Sequence, residues 1–126
     1  MAAPEDQIAG SRSVSIGLND ALSIGAERST VVRRNDSTTV SGNATLSAGK
    51  SIVQTAGSDL SVQAGKHVVI EAGDSLELVV GSARLVMKKD GSIMLSGRDI
   101  TIEGSGRVSV KASGEVVLRG SKISQN

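Results

Sequence analysis

QTAGSDLSVQAGKHVVIEAGDSLEL, running from Gln54 to Leu78, decides the fold. Ala-Gly recurs in it at Ala56-Gly57, Ala64-Gly65 and Ala72-Gly73, eight residues apart each time. Apolar residues alternate through and just beyond it: Leu60, Val62 and Ala64, then Val68, Ile70 and Ala72, then Leu76, Leu78 and Val80. Alternation at period two is the pattern of a β-strand with one buried face. Every member of the set is even-numbered, because eight is even and each strand re-enters in the same phase. Odd positions carry Asp59, Glu71 and Glu77, as a solvated face requires. Lys50, Lys66 and Asp74 break the parity, but each follows directly on a repeat glycine, where a turning chain lets the charge reach water.

The frame extends in both directions. Ile16-Gly17 and Ile24-Gly25 open it, Val32-Arg33 and Val40-Ser41 keep the apolar residue without the glycine, and Ala48-Gly49 through Val80-Gly81 complete nine successive units. The early units are looser: Asp20, Arg28 and Asp36 stand where later units place Ile52, Leu60, Val68 and Leu76. Packing is therefore expected to tighten toward the C-terminal half. The frame breaks once, over residues 82–97, where Leu85, Met87, Ile93 and Leu95 are odd-numbered. Asp90-Gly91 lies between alternating apolar runs, a strong short hairpin signal. The break reads as a local hairpin or a shifted strand pair. The even phase returns with Ile100 and Ile102, Val108 and Val110, and Val116 and Leu118.

Composition agrees with a narrow, repetitive core. The 126 residues, one domain by length, include no Phe, Trp, Tyr or Cys, but 15 Gly and a single Pro. A compact core of this size normally relies on aromatic rings. The net charge of +1, with both signs scattered, leaves no footprint for nucleic acid or an anionic membrane surface. The start of the chain shows neither a basic region nor an apolar run of signal-peptide length, and no window approaches a membrane-spanning helix. Residues 1–12 read as a lead-in or boundary segment and 13–126 as the repeat domain, closed by 98–126.

One eight-residue strand-plus-corner unit cannot bury its own face, so units must stack. Small aliphatic residues suit a crowded axis shared by three identical chains, where each level holds three copies of one side chain and no ring fits. The expected fold class is all-β: an intertwined trimeric β-helix, or triangular β-prism. Most ladder hydrogen bonds would then run between chains, and about thirteen units per chain would build a column on the order of 60 Å long. The expected trimer core is Ile16, Ile24, Val32, Val40, Leu60, Val62, Val68, Ile70, Leu76, Leu78, Val80, Ile100, Ile102, Val108, Val110, Val116 and Leu118. The expected corners are Gly17, Gly25, Gly49, Gly57, Gly65, Gly73, Gly81, Gly97, Gly106 and Gly114.

The octads SIGLNDALSIGAERSTVV (Ser15–Val32) and the block VMKKDGSIMLSGRDITIEGSGRVSVKASGEVVLRGSKISQN (Val86–Asn126) resemble the C-terminal β-helical spike of VgrG proteins of the type VI secretion system. The repeat length is similar to that of the needle of contractile phage tails. The resemblance spans roughly residues 11 to 126 and is most specific in the closing block. It implies a homotrimeric needle that pierces a target-cell envelope, assembled in the bacterial cytoplasm without a signal peptide and delivered outside the cell or into a target cell. It implies a PAAR-type tip protein, with effectors as further cargo, at the C-terminal end, where Ile123, Ser124, Gln125 and Asn126 would bind it. A frayed tail is the plainer reading of those four residues. The family's globular base before the needle has no counterpart in this sequence.

Catalytic chemistry has little to work with, and no enzyme activity and no cofactor are expected. His67, the single histidine, is odd-numbered beside Val68 and Ile70, so it is expected to face solvent rather than hold an axial metal. Gly104-Ser105-Gly106 lacks the helix and further glycines of a phosphate-binding turn. Asn35-Asp36-Ser37 and Asn43-Ala44-Thr45 match a glycosylation pattern that is common by chance. Arg33-Arg34 and Lys88-Lys89 read as solvated corners. The alternative architecture is a monomeric β-solenoid segment of a secreted haemagglutinin-like adhesin, whose repeats are longer and less strict. A polysaccharide-cleaving β-helix would need aromatic sugar platforms, which this chain lacks.

Overall fold

The computed structural model describes residues 5–126, so the first four residues of the expected lead-in lie outside the described residues. Among the described residues the protein is all-β, with no helix. The chain divides into two units, one ending at Gln54 and the other spanning Thr55–Asn126.

In the first unit the backbone runs in extended stretches interrupted by bends at 9–10, 17–18, 25–26, 33–34, 41–42 and 49–50, a constant spacing of eight. None of its described segments pairs with another as a strand. The bends coincide with the places where the apolar alternation pauses. They also fall at Arg33-Arg34 and Ser41-Gly42, where the corner before the bend lacks its glycine.

The second unit starts in the same way, with bends at 57–58, 65–66 and 73–74. Three antiparallel strands follow: β1 (Ser75–Val80), β2 (Ala83–Lys88) and β3 (Ile93–Ser96). They form one sheet in the order β1-β2-β3, a meander. Bends then resume at 98–99, 105–106 and 113–114, with a last one at Ser121.

Sequence explains both turns of the meander. Gly81-Ser82 joins β1 to β2, with Val80 opposite Ala83. Gly81 takes φ 55° while no other residue type among the described residues has positive φ. A positive φ confined to the first loop residue is the type II′ pattern, whose twist matches that of the flanking strands. Between β2 and β3 the Gly91 amide donates to the Lys88 carbonyl at 3.1 Å, and Gly91 takes φ 94°. Asp90 Oδ1 accepts a hydrogen bond from the Ser92 amide at 2.9 Å, an Asx turn that sets the exit into β3. The Lys88 amide donates to the Ser92 carbonyl at 3.0 Å, and the Lys89 amide to the Asp74 carbonyl at 2.9 Å. That last bond ties the end of β2 to the corner preceding β1.

One expectation needs adjustment. Gly81 is a hairpin turn rather than one more corner of the octad series, because β2 folds back on β1 instead of passing on to a new level. The ladder over 75–96 is accordingly internal to one chain, and no partner is needed to form it. Bends fall at the expected corners Gly17, Gly25, Gly49, Gly57, Gly65, Gly73, Gly106 and Gly114, while Gly81 and Gly91 alone among the described glycines have positive φ. At Gly17, Gly25, Gly49, Gly57, Gly65 and Gly73 a β-carbon would find nothing within 4 Å in the chain.

Outside the sheet, the only backbone–backbone hydrogen bonds among the described residues are the three just named, all between Asp74 and Ser92. The remaining extended segments leave their N–H and C=O groups without a partner among the described residues, although such groups are obligatory donors and acceptors. The core is as small as the ladder: Val86, on the central strand opposite Glu77 and Met94, is the one buried apolar side chain among the described residues, at 4% exposure.

Candidate assembly interface

The register assigns every strand residue to a face. Leu76 faces Met87, Leu78 faces Leu85, and Val80 faces Ala83. Leu85 in turn faces Leu95, and Met87 faces Ile93. Direct partners in an antiparallel pair point to the same side. One face of the sheet is therefore made of Leu76, Leu78 and Val80 from β1, Ala83, Leu85 and Met87 from β2, and Ile93 and Leu95 from β3. It carries no polar side chain.

This arrangement accounts for the parity break. A two-residue turn places each even residue of β1 opposite an odd residue of β2. The second turn keeps odd opposite odd. The apolar side thus passes from even to odd numbers without changing face.

The opposite face holds Ser75, Glu77 and Val79, then Arg84, Val86 and Lys88, then Met94 and Ser96. Arg84 Nη2 donates to Glu77 Oε1 at 2.8 Å, diagonally across β1 and β2, with each side chain about half exposed. Lys89 Nζ lies 3.5 Å from Asp74 Oδ1 at the open end of the hairpin, and both side chains are exposed. Hydrogen bonding from the Ser92 backbone and side chain holds the Asp90 carboxyl below its ordinary value.

An open cleft of about 230 Å³ connects the sheet to the octad before it. Ile70, Ala72, Leu76 and Met87 form its apolar part, and Glu71, Asp74, Lys88 and Lys89 contribute the charges around it. Two expected core residues of the octad series, Ile70 and Leu76, therefore border one cleft together with Met87. Met87, Leu85, Ile93 and Leu95 were not in the expected core. The signal for them was the Gly81-Ser82 pair, which reads as a two-residue hairpin loop once Gly81 is not counted as another repeat corner.

The remaining expected core residues are exposed. Exposure follows parity at some neighbouring pairs of the octads and reverses at others, since Val80 is 82% exposed and Val79 54%. Val32 is 49% exposed and its neighbour Val31 82%; Val68 is 54% exposed and its neighbour Val69 82%. Near the end Val116 and Val117 are alike. Ile123, Ser124, Gln125 and Asn126 are exposed and lie outside any strand. His67 is exposed, and no three potential metal-ligating His, Cys, Asp or Glu side chains come together among the described residues.

No protein-family model matches the chain, and no curated protein sequence matches it. No helix among the described residues is long and apolar enough to cross a membrane.

Proposed function

We propose that this chain is the needle segment of a trimeric envelope-piercing spike, three copies of which wind into a triangular β-prism as in the VgrG spikes it resembles. The observation that carries this reading is an excess of unsatisfied surface with a repeating geometry. The chain exposes 14027 Å², against roughly 6,300 Å² for a compact monomer of this mass. Ile, Val and Leu side chains at eight-residue spacing supply much of that surface. Together with the backbone groups left open between bends, they form strands without a sheet. Three copies would supply both the missing ladder partners and the cover for the even-numbered side.

The proposed role is mechanical. A column held by continuous ladders between chains resists bending and local opening, and its charged odd-numbered side keeps it hydrated. Its C-terminal end, with Ile123 exposed, would receive a conical tip protein of the PAAR type and whatever effector that tip carries. A monomeric solenoid, the alternative architecture, requires successive coils of one chain to pair with each other. Among the described residues strand pairing is confined to β1, β2 and β3, which weighs against that alternative.

The deciding experiment is the native mass of the purified chain by sedimentation equilibrium, repeated after exposure to sodium dodecyl sulfate without heating. Three chains per particle, resistant to the detergent, are expected. A folded monomer would overturn the proposal.

A further inference from the structure

We infer that the apolar face of the β1-β2-β3 sheet is a self-association surface that sets the register of the three chains. This rests on the trimer reading and adds to it a site where alignment is decided.

The octads alone define register poorly. Each repeats the same apolar frame, so sliding one chain past its neighbours by eight residues returns apolar side to apolar side. Register is strongly specified only where a slip moves side chains to the wrong environment. The meander occurs once in the chain and differs from the octads in every relevant respect. It has its own internal ladder, its turns reverse the chain at Gly81 and Gly91, and its apolar set includes Leu85 and Met87 at odd positions. A slip of eight residues would set this sheet against bent octads that cannot match it.

The face also suits a copy of itself. The charged residues of the strands, Glu77, Arg84 and Lys88, all lie on the other side, so two such faces meet without like-charge repulsion. Leu78 at 54%, Ile93 at 72% and Leu95 at 58% exposure show how much of it is open. The open parts of Leu78, Val80, Met87, Ile93 and Leu95 alone amount to roughly 500 Å² per copy, at the upper end of what an isolated chain tolerates as one patch. Three such faces together cover an area of about 1,500 Å², within the range of a specific interface. The cleft bordered by Ile70, Leu76 and Met87 joins the face to the even-numbered octad side, so one apolar surface continues from repeats to sheet.

The test uses the full chain, which has no cysteine of its own. Ser61→Cys, at an odd and exposed position, carries a nitroxide spin label for distance measurement between copies by pulsed dipolar spectroscopy. The labelled chain is expected to be trimeric with one narrow distance. Leu78→Ser combined with Leu85→Ser is expected either to remain trimeric with several distances or to lose assembly. The matched octad pair, Ile52→Ser with Leu60→Ser, which lies outside both the sheet face and the cleft, is expected to stay trimeric with the single distance. A sheet variant that stays trimeric with one distance overturns the register role and leaves the trimer intact. Equal loss of assembly in both variants also overturns it. A parent chain that stays monomeric with this face open removes the trimer reading too and assigns the face to an unlike partner.

Discussion

Leu78 stands directly opposite Leu85 across the first hairpin, and both side chains lie on the face that carries no polar group. Their neighbours Glu77 and Arg84 form an ion pair on the other side. One short meander thus sorts apolar from charged residues completely on one face. The octads sort theirs only by number, because no second segment of the chain completes the pattern.

Parity should govern tolerance to charge. Val68→Asp or Ile70→Asp would place three carboxylates around the proposed axis, which is severely unfavourable without partners. Assembly of either variant is expected to fail. Val69→Asp, at a position already 82% exposed, should assemble normally. Sedimentation velocity of the three variants checks this, and equal assembly would refute the even-inward assignment.

Glycine should matter where its conformation is used. Gly81→Ala and Gly91→Ala force a β-carbon into left-handed backbone, at about 1 kcal/mol or somewhat more each. Gly57→Ala meets no atom of its own chain within 4 Å and requires no positive φ. Guanidinium unfolding should show a lower midpoint for the first two. A comparable loss for Gly57→Ala would have to arise from contact with a neighbouring copy, which a native-mass measurement on the same variant would register.

Asp90 gives the second turn a dependence on acid. Its carboxyl is lowered below the ordinary 3.8 by hydrogen bonds from Ser92, so the folded state favours the ionised form. That contribution is complete above the ordinary value and disappears as pH falls through the lowered folded value. Between pH 7 and pH 3 the parent should therefore lose slightly more stability than Asp90→Asn does. Denaturation midpoints at the two pH values provide the comparison, and identical losses would contradict the Asx-turn role.

The Glu77–Arg84 pair is half exposed, so its coupling should be small. A double-mutant cycle with Glu77→Ala and Arg84→Ala is expected to give between 0 and about 1 kcal/mol, reduced further by salt. A larger value insensitive to salt would mean that the pair is covered in the assembled particle.

The bends at residues 17–18 through 73–74 coincide with legible features, because an apolar alternation interrupted at fixed spacing marks strands and corners in any context. Asp90-Gly91 was equally legible as a turn, since the flanking runs alternate and Gly91 supplies the backbone freedom. The Gly81-Ser82 turn was hidden by the repeat itself: Val80-Gly81 continues the octad frame, and nothing before it signals reversal. The later odd numbering of Leu85 and Met87 betrays the fold-back and lets Gly81-Ser82 be read as a two-residue loop. The distinction between Val86 and its neighbours depends on the central place of β2 in the sheet, which no local pattern encodes. Most of the glycine corners turn without left-handed backbone, so the spacing of the bends, rather than a positive φ, is what the repeat encodes.

The spacing of eight between bends from 9–10 to 73–74 has an evolutionary corollary. Duplicating or deleting one whole octad within the genetic message leaves every downstream residue on its original side, so the reach of such a protein can change in discrete steps without redesigning its lining. An indel of a single codon would turn the lining outward from that point on.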